Sequence, residues 1–412
     1  MGKAVAITGM GVASAAGCDV ASFWNRVRAG LSGCRATVKT ETNTPAAAFE
    51  AAVDDAELEQ AVKSWGVRKN ERVVKLAAVA CHQAWQDAGL PKPALPTLGS
   101  RAGIILGSGL GGIQFLEEQM WRVLKSANNR MHPHSVPRVS STSLITEIAQ
   151  TFALRGPGFV VSSACASSAH AIGQAFRTIQ NGDADVILAG GAETPLSPFS
   201  MTAFSLLGVL AKSGSDPAKA CRPFDETRDG FVLGEGAGAL VLESVEHAQE
   251  RGAHIYAYLH GYGQSLGAYH AVHARPDGED AADAMSAALR DAGVSPEQVG
   301  YVNAHGTATR ENDLAESRAM RLVFGEGTLN VPISSIKPIT GHTLGAAGVL
   351  EAVATVKALQ EGVLPPNANL SAMDPQCALN VVTQPVACDL RFALSNSFGF
   401  GNVNVALLFG KE

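Results

Sequence analysis

The strongest constraint on this chain is a recurring alternation. Short apolar runs, "AVAIT", "AGIILG", "GFVVSS", "DVILAG", "GALVLE", "GYVNAH", "VPISS" and "VNVALLF", are separated by longer Ala-rich segments with helical spacing. A strand that is apolar on both faces must be covered on both faces, and in a chain that alternates strand with helix the cover is helical. The expected class is therefore α/β with buried, mostly two-sided sheets. At 412 residues and 46% hydrophobic content the chain can bury about two domain-sized cores. No Pro/Ser-rich linker divides it, so two closely packed halves are expected, 1–250 and 251–412.

An internal echo supports two similarly folded halves. In "VVSSACASSAHAIGQAFRTIQNG" a strand ends at Ser162-Ser163, and the helix that follows carries Ile172, Phe176 and Ile179 at i, i+4 and i+7. In "PISSIKPITGHTLGAAGVLEAVATVKALQEG" a strand ends at Ser334-Ser335, and Val349, Val353 and Val356 repeat the spacing. Both helices run into a Gly suited to a left-handed C-terminal position. The halves differ in chemistry: the first echo carries Cys165, the second Lys337 and His342.

A net charge of −6 argues against a surface given over to nucleic acid, and an acidic partner must dock on a local basic patch. The seven cysteines contain no CxxC pair, which disfavours a zinc ribbon or a disulfide framework and fits reduced cytosolic thiols. No secretory leader and no apolar run long enough to span a membrane is evident, so the expected location is the cytoplasm. Two glycine patterns, "AVAITGMGVASAAG" and "GIILGSGLGG", imitate a dinucleotide turn. Neither is followed by the second strand and acidic residue that such a site requires, so both read as tight strand-to-helix turns.

Cys165, in "GFVVSSACASSAH", stands where a strand hands over to a helix. The free N–H groups of that helix start favour a thiolate, and the small neighbours leave room for a substrate and a sharp turn. Taken alone, the stretch is open to a second reading, a cysteine packed in a core. The histidines separate the two. His305 follows a short strand, and His342 follows Lys337 by five residues ahead of a helix. Strand ends in an α/β sheet converge on a crevice, so Cys165, His305 and His342 are expected to meet there. A Cys/His hydrolase would need one His and an orienting Asn or Asp, whereas two histidines with a lysine answer a different proton and charge problem. A zinc site on the same three residues lacks any HxxxH or CxxC spacing.

These blocks resemble the β-ketoacyl-acyl-carrier-protein synthases of the thiolase fold, nearest the elongating types I and II. The resemblance runs through "VAITGMGV", "SSACASSAHAIG", "RPFDETRDGFVLGEGAGALVLE", "VNAHGTAT", "SSIKPITGHTLGAAG" and "NSFGFGN" in order. It implies two similar halves in a five-layered αβαβα arrangement. The implied reaction is decarboxylative Claisen condensation: an acyl group held on Cys165 is extended by malonyl-acyl carrier protein to a 3-ketoacyl-carrier protein and CO2. Fatty-acid and type II polyketide synthesis are the implied settings.

The resemblance also assigns roles. His305 and His342 would stabilise the enolate, and the backbone N–H groups of Cys165 and Phe400 would form an oxyanion hole. Phe400 would gate the acyl pocket as well. Lys337 would set the electrostatics, paired with Glu316 because a buried unpaired ammonium is costly. Thr307 and Thr309 would bind the pantetheine arm, and Arg68 and Lys69 would dock the acidic carrier. No metal and no cofactor beyond the carrier's phosphopantetheine is implied, and the assembly is a homodimer or a heterodimer with a sister ketosynthase. A non-elongating chain-length subunit is the alternative, and such partners lack the nucleophile. Two stretches depart from the family pattern. The usual "GFGGTN" is here "GFGNVN", with Asn402 and Val403 for Gly and Thr, and "HGTATRENDLAES" leans towards polyketide ketosynthases.

Overall fold

The eight apolar runs and three further segments form one continuous eleven-stranded sheet in the computed structural model, which describes residues 4–37, 48–67, 71–94, 98–125, 130–212 and 216–412. In chain order the strands are β1 (Val5–Ser14), β2 (Ala102–Gly107), β3 (Gly158–Val161), β4 (Val186–Glu193), β5 (Gly236–Ser244) and β6 (Ala257–Leu266). The remainder are β7 (Val299–Asn303), β8 (Pro332–Ser334), β9 (Asn380–Val381), β10 (Phe392–Gly399) and β11 (Val403–Gly410). Their spatial order is β9-β8-β7-β10-β11-β6-β1-β5-β4-β2-β3.

That order contains a repeat. The path β3-β2-β4-β5-β1 in the first half matches β8-β7-β10-β11-β6 in the second, strand for strand. The polarity matches as well: the outer three strands are parallel and the inner pairings antiparallel in both. The halves join where β1 pairs with β6, Val5 opposite Leu259 and Ile7 opposite Ala257.

Five helices complete the layers: α1 (Arg72–Asp87), α2 (Ser167–Gln180), α3 (Glu279–Ala292), α4 (Arg310–Phe324) and α5 (Ala347–Glu361). Helices α2 and α5 lie together in the middle, where Ile172, Phe176, Val349, Val353 and Val356 share one core with both halves of the sheet. Helix α1 covers the outer face of the first half, and α3 and α4 the outer face of the second. The result is the αβαβα order. Helix α5 is apolar nearly all round because sheet or helix meets it on almost every side.

Gly9 and Gly11 differ from expectation. They lie inside β1 rather than at a turn, and a Cβ on either would come within 2.1 Å of the α1 backbone, at Ala84 O and Ala80 O. Helix α1 therefore rests directly on the strand, which is the reason for glycine at two alternate positions. Among the described residues no helix is long and apolar enough to cross a membrane.

Candidate active site

The turn after β3 presents Cys165. Ala164 adopts a left-handed backbone (φ 49°) that costs a residue with a Cβ free energy, and the surrounding bonds hold it there. Oγ of Ser167 accepts the N–H of Ser163 at 2.9 Å and donates to the carbonyl of Ala164 at 2.7 Å, closing the turn just ahead of α2. The other small residues serve packing as much as substrate. Ser168 Oγ accepts the Val349 N–H of α5 at 3.0 Å, and a Cβ on Gly348 would lie 2.8 Å from that of Ala169. Much of the small-residue run is thus the close crossing of the two central helices.

Cys165, His305 and His342 meet as expected. His305 follows β7, and His342 follows the short turn that Lys337 opens after β8. Sγ of Cys165 lies 3.2 Å from Nε2 of His342, and the two imidazoles are 5.4 Å apart, centre to centre. All three border a cavity of about 410 Å³ that is also lined by Phe204, Phe231, Phe398 and Phe400. The Phe231 ring stands edge-on to His342 at 4.8 Å. Thr307 and Thr309 line the same cavity, with their hydroxyls 2.9 Å apart.

Lys337 is where the arrangement departs from expectation. Its ammonium is bonded to Oε1 of Glu351 and to the carbonyl of His305, and lies 3.3 Å from Nδ1 of His305. Its carboxylate partner is therefore Glu351, on α5, and not Glu316. Glu316 instead accepts the backbone N–H groups of His305 (2.9 Å) and Gly306 (2.8 Å) and the side-chain amide of Asn396. It sits on α4, on the far side of the His305 backbone, and fixes the loop that carries the histidine. Arg68 and Lys69 lie outside the described residues.

Burial decides the protonation states. It pushes the Cys165 thiol up to about 12, against the smaller opposite pulls of Lys337 and of the Phe400 backbone N–H. The expected resting thiolate is thus absent: the helix start and the lysine do not outweigh desolvation. Burial also holds both histidines well below the ordinary range, with the Lys337 charge acting in the same direction. Both rings are neutral. An ammonium beside Nδ1 of His305 makes that nitrogen the acceptor, so its proton is on Nε2. The three ligand-type atoms lie within 4.8 Å of one another, a spacing that a small metal ion could bridge. The Lys337 charge beside His305 opposes a second cation there.

Glu351 and Glu193 are buried acids beside the site that the sequence patterns above do not single out. Glu193, at the end of β4, accepts from Ser108 Oγ (2.9 Å) and the N–H groups of Gly109 (2.6 Å), Leu110 (3.1 Å) and Gly345 (3.2 Å). It ties the loop after β2 to the turn ahead of α5, across the two halves. Each is a lone acid inside an apolar run, "LAGGAETP" and "GVLEAVAT", and that isolation is the signal the sequence offers.

Comparison with known proteins agrees with this geometry. Residues 2–248 match the model of the beta-ketoacyl synthase N-terminal domain, and residues 256–371 that of the C-terminal domain. The chain is 40% identical over 412 residues to the 3-oxoacyl-[acyl-carrier-protein] synthase 2 of Vibrio cholerae, covering 99% of each. Among solved structures it resembles a type II polyketide ketosynthase in complex with its acyl-carrier protein and bound to a hexaketide (TM-score 0.92, 32% identity, 100% of both chains). It also resembles the ishigamide ketosynthase/chain length factor (TM-score 0.91, 32% identity, 100% of both chains). With a cysteine and two neutral histidines gathered at the strand ends of a duplicated fold, and both domain models matched in order, the chain belongs to the β-ketoacyl synthase family.

Proposed function

We infer that this chain is a 3-oxoacyl-[acyl-carrier-protein] synthase, an acyltransferase that performs decarboxylative condensation. The observation that carries the reading is the placement of Cys165 Sγ 3.2 Å from His342 Nε2, with the His305 proton directed away from Lys337, in a cavity with aromatic walls. In the first half-reaction Sγ attacks the acyl thioester carbon. The carbonyl oxygen takes up charge and turns to the backbone N–H groups of Cys165 and Phe400. The pantetheine sulfur leaves and takes up the proton that Sγ gives up, so that His342 keeps its own Nε2 proton.

In the second, malonyl thioester binds with its carbonyl towards the two histidines. The bond to the carboxylate breaks, CO2 leaves, and the electron pair forms an enolate stabilised by N–H donation from His305 and His342. Its carbon attacks the acyl-Cys165 carbonyl, the new C–C bond forms, and Sγ departs as a thiolate that takes a proton from water. Neutral imidazoles suit this role because they donate hydrogen bonds without surrendering a proton to the enolate. Thr307 and Thr309 line the cavity where the pantetheine arm would pass.

The remaining parts of the reading rest on separate supports. The partner is an acyl carrier protein, as in the polyketide ketosynthase complex, and Arg68 and Lys69 are proposed to dock it. No metal or cofactor beyond the carrier's phosphopantetheine is required, since enolate charge is met by the two histidines. The edge of β3, unpaired among the described residues and with Phe159 41% exposed, supports pairing with a second ketosynthase chain, either a copy of this one or a sister subunit. Repetition of strand order supports 1–250 and 251–412 as the two units. Seven free thiols fit a cytoplasmic location and a reducing compartment. A non-elongating role is not favoured, because the nucleophile and both histidines are present.

Intact-mass analysis tests the reaction. Incubation with acyl-carrier proteins is expected to add the acyl mass at Cys165, and malonyl-carrier protein then to release a product two carbons longer. Acylation that persists in Cys165→Ala, or an acyl-enzyme that malonyl-carrier protein never discharges, rules the reading out.

A further inference from the structure

The turn that bears Phe400 is tied to a neighbouring segment by a side chain at the position where the chain departs from the family pattern. The β11–β6 ladder ends at Val403 opposite Leu266. Beyond it the chain on the β6 side, residues 267–275, forms no further ladder and is largely exposed. Asn402 continues the connection with its side chain. Its Nδ2 donates to the carbonyls of His270 (2.8 Å) and His273 (3.2 Å), and its Oδ1 accepts the N–H of Arg275 (3.3 Å). Two main-chain bonds flank these: Gly401 N–H to Ala271 O (2.8 Å) and Gly267 N–H to Asn402 O (2.9 Å).

Asn402 suits this task for a physical reason. Its backbone is left-handed (φ 54°), which asparagine tolerates better than most residues, and the residue is 6% exposed with its side-chain donor and acceptor both used. Val272, His273 and Ala274, in the tied segment, line the same cavity as Phe400. The segment is held from its other side by His273 Nδ1 on Glu311 Oε2 at 2.6 Å. Among the described residues Phe400 itself has one aromatic neighbour, Phe204 at 6.5 Å. The wall carrying Phe400 is thus fastened mainly through polar bonds, and the Asn402 side chain supplies three of them.

We propose that Asn402 is a positioning residue that latches the Phe400 turn to residues 267–275, so that the two move as one wall and bulky acyl groups reach Cys165 only when both are displaced. This rests on the condensing reading for its substrate, while the latch itself is a statement about the wall. Its consequence is size discrimination at loading. A small acyl group enters without moving the wall, and a large one must break the latch.

Asn402→Gly removes the side chain and keeps a backbone that accepts the left-handed conformation. Two readouts are compared with wild type. The first is amide hydrogen exchange at Arg275 and Gly401, expected to quicken by about fivefold or more, the effect of one net hydrogen bond. The second is the ratio of Cys165 acylation rates by a long-chain and a two-carbon acyl-carrier protein, expected to rise by about the same factor. The same ratio is read with a bulky and a small alkylating reagent, which needs no carrier. Unchanged exchange at both amides, or faster exchange with an unaltered size ratio for both probe sets, overturns the proposal. If no carrier acylates the wild-type chain, the condensing reading fails, and the exchange and alkylation arms still decide the latch. Asn402→Asp, which loses both donors and sets a carboxylate against two carbonyls, is expected to behave as Asn402→Gly does.

Discussion

Lys337 and Glu351 face each other at the centre of the molecule, with both side chains 1% exposed. The pair joins the turn that leads to His342 with the central helix α5, and its ammonium also rests on His305. Burial raises the Glu351 carboxyl while the ammonium opposes that rise, so the carboxylate depends on its partner. Glu351→Ala leaves a buried charge without an anion, and the expected loss of stability is about 3–5 kcal/mol. Glu351→Gln is expected to be milder in stability yet to lower CO2 release from malonyl-carrier protein by roughly 10²-fold, through a misplaced Lys337 and a freed His305 tautomer. Urea unfolding together with a CO2-release assay checks both. Wild-type CO2 release in Glu351→Gln would detach the pair from the chemistry.

The buried thiol has a kinetic signature. A group raised to about 12 is almost wholly protonated at neutral pH, and its thiolate fraction grows about tenfold with each unit of pH. Alkylation of Cys165 by iodoacetamide, followed by mass, is therefore expected to rise without a plateau from pH 6.5 to 9.5. A plateau near neutrality would mean a resting thiolate and would reverse the order assigned to burial and the helix start.

Much of this site is legible in the residue pattern itself. Cys165, His305 and Lys337 each follow a strand end within a few residues, His342 follows the short turn that Lys337 opens, and such ends converge in this class of sheet. The partner of Lys337 is not legible, because "DLAES" and "GVLEAVAT" each offer an acid, and the choice depends on which helix crosses behind the lysine. Glu351 comes from the central helix and Glu316 from an outer one, a distinction that belongs to layer order and not to local pattern. The protonation of Cys165 is equally out of reach, since desolvation depends on how completely the neighbouring aromatic rings close over the sulfur. Gly9 and Gly11 read as a turn because a strand beneath a close helix and a strand-to-helix turn place the same demand on residue size.

Glu316 gives a pH dependence of defined sign. Burial raises its carboxyl from 4.5 to about 7, in spite of the N–H groups of Gly306 and His305 and the Asn396 amide. Between those values the folded chain keeps a proton that the unfolded chain has released, so stability falls as pH rises through the window and is level above it. The span is about 3 kcal/mol at most. The difference in unfolding free energy between Glu316→Gln and wild type is therefore expected to shift in favour of the variant from about pH 4.5 to about pH 7.5, by up to that amount. A difference that stays constant across the window would show that Glu316 is ionised throughout.

The last prediction concerns the open end of the sheet. β3 pairs with β2 on one side and with nothing on the other among the described residues, and Phe159 on it is exposed. A free edge strand with an exposed aromatic residue is a pairing surface, and the next chain in register would extend the sheet across two molecules. In solution the protein is expected at twice the chain mass of 42.7 kDa. Phe159→Asp places a charge on the edge and is expected to shift the population to single chains at micromolar concentration. Light scattering coupled to size exclusion reads both states. Because β3 runs straight into the Cys165 turn, separation is expected to slow acylation as well. A variant that is monomeric and fully active would show that the edge pairs without supporting the nucleophile.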